Sequence, residues 1–261
     1  MKRTLPCIAL LLAIGCPANR RATPTLRGSA LPPPMRALAP AAIATITRLR
    51  GPESVLHDPQ QDVYFISNIN GAMLDLDGNG FISRVDASTL AIEPQWIAGG
   101  MNAPKGMAIL GDALYVADIN VLRKFDRRSG APLGTIPITG DRPEKLAGGD
   151  ELRHPNGLDV VDGKLRVVTF RGNELYELDG GLRRHVVKLP AGQLDGLTHL
   201  ADGTALVSSW KGDEIYRLDG GKPAAILAGM DAPADLGYDA KRKRLLIPHP
   251  TANQVTIHTV Y

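Results

Sequence analysis

Four residues able to do chemistry stand at one recurring place in this chain. Glu53, Lys105, Asn156 and Asp195 each open a train of short apolar runs, and Ala234 opens a fifth. The openings are separated by 52, 51, 39 and 39 residues. Glu53, Asn156 and Asp195 offer two carboxylates and an amide oxygen. If the five openings meet around one axis, this donor set suits a hard divalent cation. Calcium is the first expectation, with magnesium, manganese or zinc as alternatives, since no His or Cys stands at these positions. The plainer reading makes the same residues polar strand starts that cap turns.

The elements that position these residues are repeats. Gly172-Asn173-Glu174-Leu175-Tyr176 matches Gly212-Asp213-Glu214-Ile215-Tyr216 at an offset of forty, and Leu178-Asp179-Gly180-Gly181 matches Leu218-Asp219-Gly220-Gly221 at the same offset. Each complete unit holds four strand-like runs rich in Val, Ile, Leu and Tyr, bounded by Gly, Asp or Pro. No segment sustains a helical period. Four-stranded units of about forty residues predict an all-β fold, a β-propeller with five recognisable repeats. The fifth unit has only three strands before Tyr261, and Ala44 to Leu49 is a spare strand-like run. That run is expected to close the ring as the outer strand of the last blade, which leaves only short edges. The propeller domain then spans residues 43–261.

Residues 1–16 form a basic start followed by an apolar run too short to span a bilayer, the pattern of a secretory signal. Leu12-Ala13-Ile14-Gly15-Cys16 resembles a bacterial lipobox, so the expected location is the periplasm or cell envelope, lipid-anchored or released. Residues 17–42 are a Pro-, Ala- and Arg-rich linker. Both cysteines, Cys7 and Cys16, precede the folded body, which therefore has no disulfide or thiol chemistry. Residues 1–52 hold eight basic residues and no acidic one. The remainder has 22 basic residues against 27 acidic, a net charge of −5. The basic balance belongs to the leader and argues against a nucleic-acid surface. A membrane contact is expected only through an N-terminal lipid, and the domain is expected to be a monomer.

Further patterns compete for attention. Asp75, Asp77, Asn79, Gly80, Ile82 and Asp86 fit a twelve-residue calcium loop. Their flanks read as strands, which favours a tight Asp-Gly-Asn-Gly connection instead. His249 ends a second strand, where Asn68, Asp118, Phe170 and Trp210 stand in other units. Asn68, Asp118, Trp210 and His249, with Asp235 of the fifth opening, are candidates for a pocket rim. Ser208-Ser209-Trp210-Lys211 fits Ser-x-x-Lys by letter only. The remaining histidines, His57, His154, His185, His199 and His258, have no partner at catalytic spacing. Nucleophile-elbow, zinc-protease, Walker and dinucleotide motifs are absent from the sequence.

The ordered series PESVLHDP, VYFISNINGAMLDLDGNGFISRVD, NAPKGMAI, LYVADI, HPNGL, LDGL, ADLGYD and LLIPHP resembles the senescence-marker-protein/gluconolactonase family, in particular its exported bacterial members. The resemblance covers residues 50–261. It implies a six-bladed propeller with a divalent metal in its channel and hydrolysis of lactones and related esters. The family's metal ligands fall on Glu53, Asn156 and Asp195. Asp195 would orient or deprotonate water, and Lys105 would stabilise an oxyanion. The family has one further repeat between the units opening at Lys105 and Asn156. Here only an outer strand, Glu144 to Leu152, is expected to remain, so the ring has five blades or six with one reduced. Two functions follow. One is a metal-dependent hydrolase acting on a lactone or sugar-acid ester. The other is a non-catalytic envelope propeller with a structural metal that binds a ligand or protein partner.

Overall fold

The computed structural model describes residues 41–138 and 149–260. Five four-stranded antiparallel sheets form a propeller ring. Blade 1 comprises β2 (Pro52–Asp58), β3 (Val63–Asn68), β4 (Gly80–Asp86) and β5 (Ile92–Met101); β1 (Ala44–Ile46) precedes it. Blade 2 comprises β6 (Pro104–Leu110), β7 (Ala113–Asp118), β8 (Val121–Asp126) and β9 (Pro132–Pro137). Blade 3 comprises β10 (Pro155–Val161), β11 (Lys164–Thr169), β12 (Glu174–Asp179) and β13 (Leu182–Lys188). Blade 4 comprises β14 (Leu194–His199), β15 (Ala205–Ser209), β16 (Glu214–Asp219) and β17 (Lys222–Ala228). Blade 5 comprises β18 (Gly237–Asp239), β19 (Arg244–His249), β20 (Gln254–Thr259) and, as its outer strand, β1. Ala44 pairs Ile257 and Ile46 pairs Val255, so the spare N-terminal run closes the ring as expected.

Strand alternation explains the packing between blades. One face of each sheet meets the next blade, and its apolar residues enter shared cores. Ile46, Leu49, Tyr64, Ile66 and Leu246 join blades 5 and 1. Phe65, Ile82, Leu114, Val116 and Phe125 join blades 1 and 2. Val168, Leu175, Leu197 and Tyr216 join blades 3 and 4, and Leu206, Ile215, Leu245 and Ile247 join blades 4 and 5. Toward the axis the inner strands meet backbone to backbone. A Cβ at Gly157 would strike the Asp195 carbonyl, one at Gly196 would strike the Leu236 amide, and one at Gly237 would lie 2.6 Å from the Val55 carbonyl. Glycine is required at these close approaches.

The expected outer strand Glu144–Leu152 needs correction over its described part. Asp150–Leu152 is a turn of 3-10 helix, and residues 144–148 lie outside the described residues. Leu152 is buried with Val167 and Tyr176, and its carbonyl accepts from the Tyr176 hydroxyl at 3.2 Å. Those contacts hold the turn against the blade 3 face instead of letting it extend a sheet. The leader and all of the linker up to residue 40 also lie outside the described residues.

Candidate functional site

Each blade's inner strand starts on the same face of the ring. Glu53, Lys105, Asn156 and Asp195 are the second residues of β2, β6, β10 and β14. In blade 5 the equivalent opening is Ala234, whose small side chain is buried. The next residue, Asp235, takes the place that glycine or serine fills elsewhere. It forms a parallel bridge with Ser54, donates its backbone N–H to the Glu53 carbonyl at 2.9 Å and accepts from Ser54 Oγ at 2.7 Å. Its Oδ2 lies 3.8 Å from the Cβ position of Gly106.

Three acids therefore influence one another across the axis. Burial pushes the Glu53 carboxyl up, and the Lys105 ammonium opposes the shift. One Glu53 oxygen, Oε2, is buried without a hydrogen-bond partner. Asp195 is 5% exposed. Burial, then Glu53, then Asp235 raise it well above the carboxylate range, while Lys105 and the Trp210 indole pull it down. Asp235 is pushed up to about 7 by burial and then by Glu53, against the Ser54 hydrogen bond. Burying three anions beside one ammonium is unfavourable. The strain is relieved when an acid keeps its proton or when a cation joins the group.

The donor chemistry fits a hard cation. Among the described residues, no three His, Cys, Asp or Glu side chains gather closely enough to hold a metal alone. A cation on the axis would take the Glu53 and Asp195 carboxylates, the Asn156 amide oxygen and water. Asn156 is exposed, and its Nδ2 donates to the Leu194 carbonyl at 3.4 Å, leaving Oδ1 for such a role.

The other sequence candidates have different surroundings. Asn68 is fully buried: its Oδ1 accepts from Arg50 N at 2.9 Å, and its Nδ2 donates to Ile66 O and Ser83 Oγ at 3.0 Å each. Asp118 accepts from the backbone of Asn102 and Ala103 and from Arg123 Nε. His249 is buried against Thr256 Oγ1 at 2.8 Å and Asp231 O at 3.4 Å. All three brace the chain entering their blade. Pro155 pairs Thr169 and Leu194 pairs Ser209, so Thr169 and Ser209 are the equivalents in blades 3 and 4. Phe170 and Trp210 come one residue later and start the turn on the axial face. There their rings lie edge to face with centroids 6.2 Å apart.

Asp75, Asp77 and Asn79 lie in the β3–β4 connection, whereas Asp86 ends β4. The Asp86 carboxylate accepts from Ser88 N, Thr89 N and Thr89 Oγ1. Asp126 holds the corresponding turn of blade 2 in the same way. The twelve residues thus form a connection plus a strand. Among the histidines, His199 has partners that its sequence spacing hid: Nδ1 meets Asp159 Oδ2 at 2.7 Å and Nε2 meets Arg166 Nη1 at 3.1 Å. A cavity of about 430 Å³ lies away from the axis, lined by Arg166, Glu177, Asp202 and Leu218 between blades 3 and 4.

The sequence matches no protein-family model, and no curated protein matches it. Solved structures do. The Cps50 (Swd1) β-propeller domain of Myceliophteria thermophila is 11% identical with a TM-score of 0.57, over 85% of this chain and 99% of that one. The WD40 β-propeller domain of Doa1 is 10% identical with a TM-score of 0.54, over 78% and 77%. A virginiamycin B lyase of Staphylococcus aureus is 16% identical with a TM-score of 0.39, over 80% and 66%. At these identities the first two establish the propeller fold and nothing about activity.

Proposed function

We propose that this chain is an exported, cation-dependent hydrolase of lactones or related sugar-acid esters, of the senescence-marker-protein/gluconolactonase type. The observation that carries this reading is the electrostatic convergence of Glu53, Asp195 and Lys105 on one face, with Glu53 Oε2 buried and unpartnered. The seam between blades 2 and 3, where the family it resembles has a further repeat, favours the non-catalytic alternative instead. No hydrophobic core cluster joins those two blades among the described residues.

A bound divalent cation supplies Lewis acidity to a carbonyl oxygen and acidifies water. The chain's own groups do the rest. Glu53, Asn156 and Asp195 orient the reactants and balance charge. Asp195, as general base, takes a proton from the attacking water. The water oxygen bonds the carbonyl carbon, the ring C–O bond breaks, and the leaving alkoxide recovers the proton from Asp195. Lys105 stabilises the negative charge that develops on the carbonyl oxygen.

The test is turnover of a lactone panel with calcium, magnesium, manganese or zinc against chelator. Asp195→Asn should lose at least about a hundredfold in kcat, with weaker cation binding. Full activity of that variant removes the mechanism. The close backbone packing at Gly157, Gly196 and Gly237 favours a second reading, a non-catalytic envelope propeller whose cation plugs the axis. Absence of turnover with every metal, together with a chelator-sensitive Tm, selects the second.

A further inference from the structure

On the axial face the connections between second and third strands differ sharply in length. Blade 2 uses residues 119–120, blade 3 uses 170–173, blade 4 uses 210–213 and blade 5 uses 250–253. Blade 1 uses 69–79. A connection this much longer than its four equivalents needs a reason, because the turn itself does not require it.

The long connection is held in place. Asn79 Nδ2 donates to Asp77 Oδ2 at 2.6 Å, and Asn70 Nδ2 donates to the Asn79 carbonyl at 3.0 Å. Gly78 N donates to Asn102 Oδ1 at 3.1 Å, and Gly100 N donates to the Gly78 carbonyl at 3.1 Å. Asn102 lies three residues before Lys105 in the chain. The loop base is thus fastened beside the strand that brings the axial ammonium. Yet this loop leaves Met73, Leu74 and Leu76 at 46%, 72% and 69% exposure. An ordered loop that shows three large apolar side chains together marks a contact surface.

The same face carries a second apolar feature. Phe170 and Trp210 form their edge-to-face pair on blades 3 and 4. Trp210 Nε1 is buried and completes no hydrogen bond. Glu53 Oε2 is likewise buried and unpartnered. Two orphaned polar atoms among the axial groups and apolar side chains on blades 1, 3 and 4 describe a ligand with an oxygen-rich head and an apolar body. An anionic membrane suits the loop poorly, since Asp75 and Asp77 alternate with its leucines.

We infer that the 69–79 loop is a specificity element of the axial site and takes the apolar substituent of a ligand whose ring oxygens reach the axial groups. This rests on the hydrolase reading and narrows its substrate class to alkyl- or aryl-substituted lactones, rather than bare sugar lactones.

The experiment uses the full chain with saturating calcium, a series of γ-alkyl lactones of increasing chain length and the matching non-hydrolysable γ-alkyl lactams. The variant is Met73→Ser/Leu74→Ser/Leu76→Ser, chosen because all three side chains are exposed. In the unaltered protein, kcat/KM and lactam affinity should each rise about fourfold per methylene. In the variant both slopes should flatten, with KM rising for long chains and kcat for the shortest lactone unchanged. Equal lactam slopes in the two proteins overturn the inference whether or not any lactone is turned over. Loss of hydrolysis with the lactam slope intact in the unaltered protein and flattened in the variant keeps the loop's role and sinks the hydrolase reading alone. A variant that loses binding to phosphatidylglycerol vesicles while its lactam slope is unchanged shows that the loop serves a membrane instead, and this too overturns the inference.

Discussion

Among the described residues, blades 5 and 1 meet through much more than blades 2 and 3 do. At the first seam β1 completes blade 5, and residues from both blades bury a shared core. Tyr64 Oη donates to Asp239 Oδ2 at 2.7 Å; Arg242 forks onto Asp62 at 2.7 and 2.6 Å and also reaches Asp239 at 2.9 Å. At the second seam, blade 2 presents Leu110, Tyr115, Leu122 and Ile136 on one face, by strand alternation and pairing. On the blade 3 side Leu158, Leu165 and Leu178 pack against Leu152, Val167 and Tyr176. Yet Ile136 and Val160 are 49% and 53% exposed. Among the described residues the ring's cohesion is concentrated where β1 pairs β20 and blade 5 packs on blade 1. Among the described residues, the weaker seam lies between Ile138 and Asn156 in the chain.

The largest effects should come from the strong seam. Leu246→Ala opens a cavity in a fully buried core and should cost about 3 kcal/mol in denaturant unfolding. Asp239→Asn leaves Arg242 and Tyr64 facing a neutral amide at a fully buried position, and should cost about the same. If either loses under about 1 kcal/mol, cohesion is not concentrated at that seam.

An intermediate effect belongs to the axis, where Lys105 brings blade 2 to the acids of blades 1, 4 and 5. Folded Asp235 holds its proton up to about pH 7, whereas the unfolded residue releases it near pH 4. Between those values the folded chain binds more protons, so its stability falls as pH rises through the window. Glu53 and Asp195, also raised, act in the same direction. Thermal unfolding from pH 4 to 8 under chelator should show this fall, and Asp235→Asn should make it shallower. An equally steep profile in the variant removes Asp235 from the cluster.

The smallest effect is expected at the weak seam. Ile136→Ser should change stability by no more than about 0.5 kcal/mol. A loss above about 2 kcal/mol would mean that the two blade faces are packed in solution and would erase the contrast between seams.

Several features were legible because they depend on neighbours in sequence. The forty-residue offset carries the blade, since each blade's strands pair through short hairpins. The missing strand of the fifth unit and the spare run at Ala44 carry the closure. Repeat position also put Glu53 and Asp195 at strand openings, and both are second residues of inner strands. Asn68, Asp118 and His249 were harder. A polar residue at a strand end has the same appearance in sequence whether it rims a pocket or braces a connector. Only its burial and its partners separate the two. Thr169 and Ser209 were missed at that position because each stands one residue before the aromatic that the sequence offered, and only its pairing with Pro155 or Leu194 marks it.

By itself the sequence determined the repeat and the closing strand, because both are written in local periodicity and turn chemistry; it left five blades or six open, and the tertiary structure decided on five. Tertiary structure alone decided that Asp235 joins Glu53 and Asp195. The Ser54–Asp235 contact spans 181 residues and exists only when the last blade comes round to the first. The raised proton affinity of the acids is decided there too, since it comes from burial and mutual repulsion on an axis that no single repeat contains.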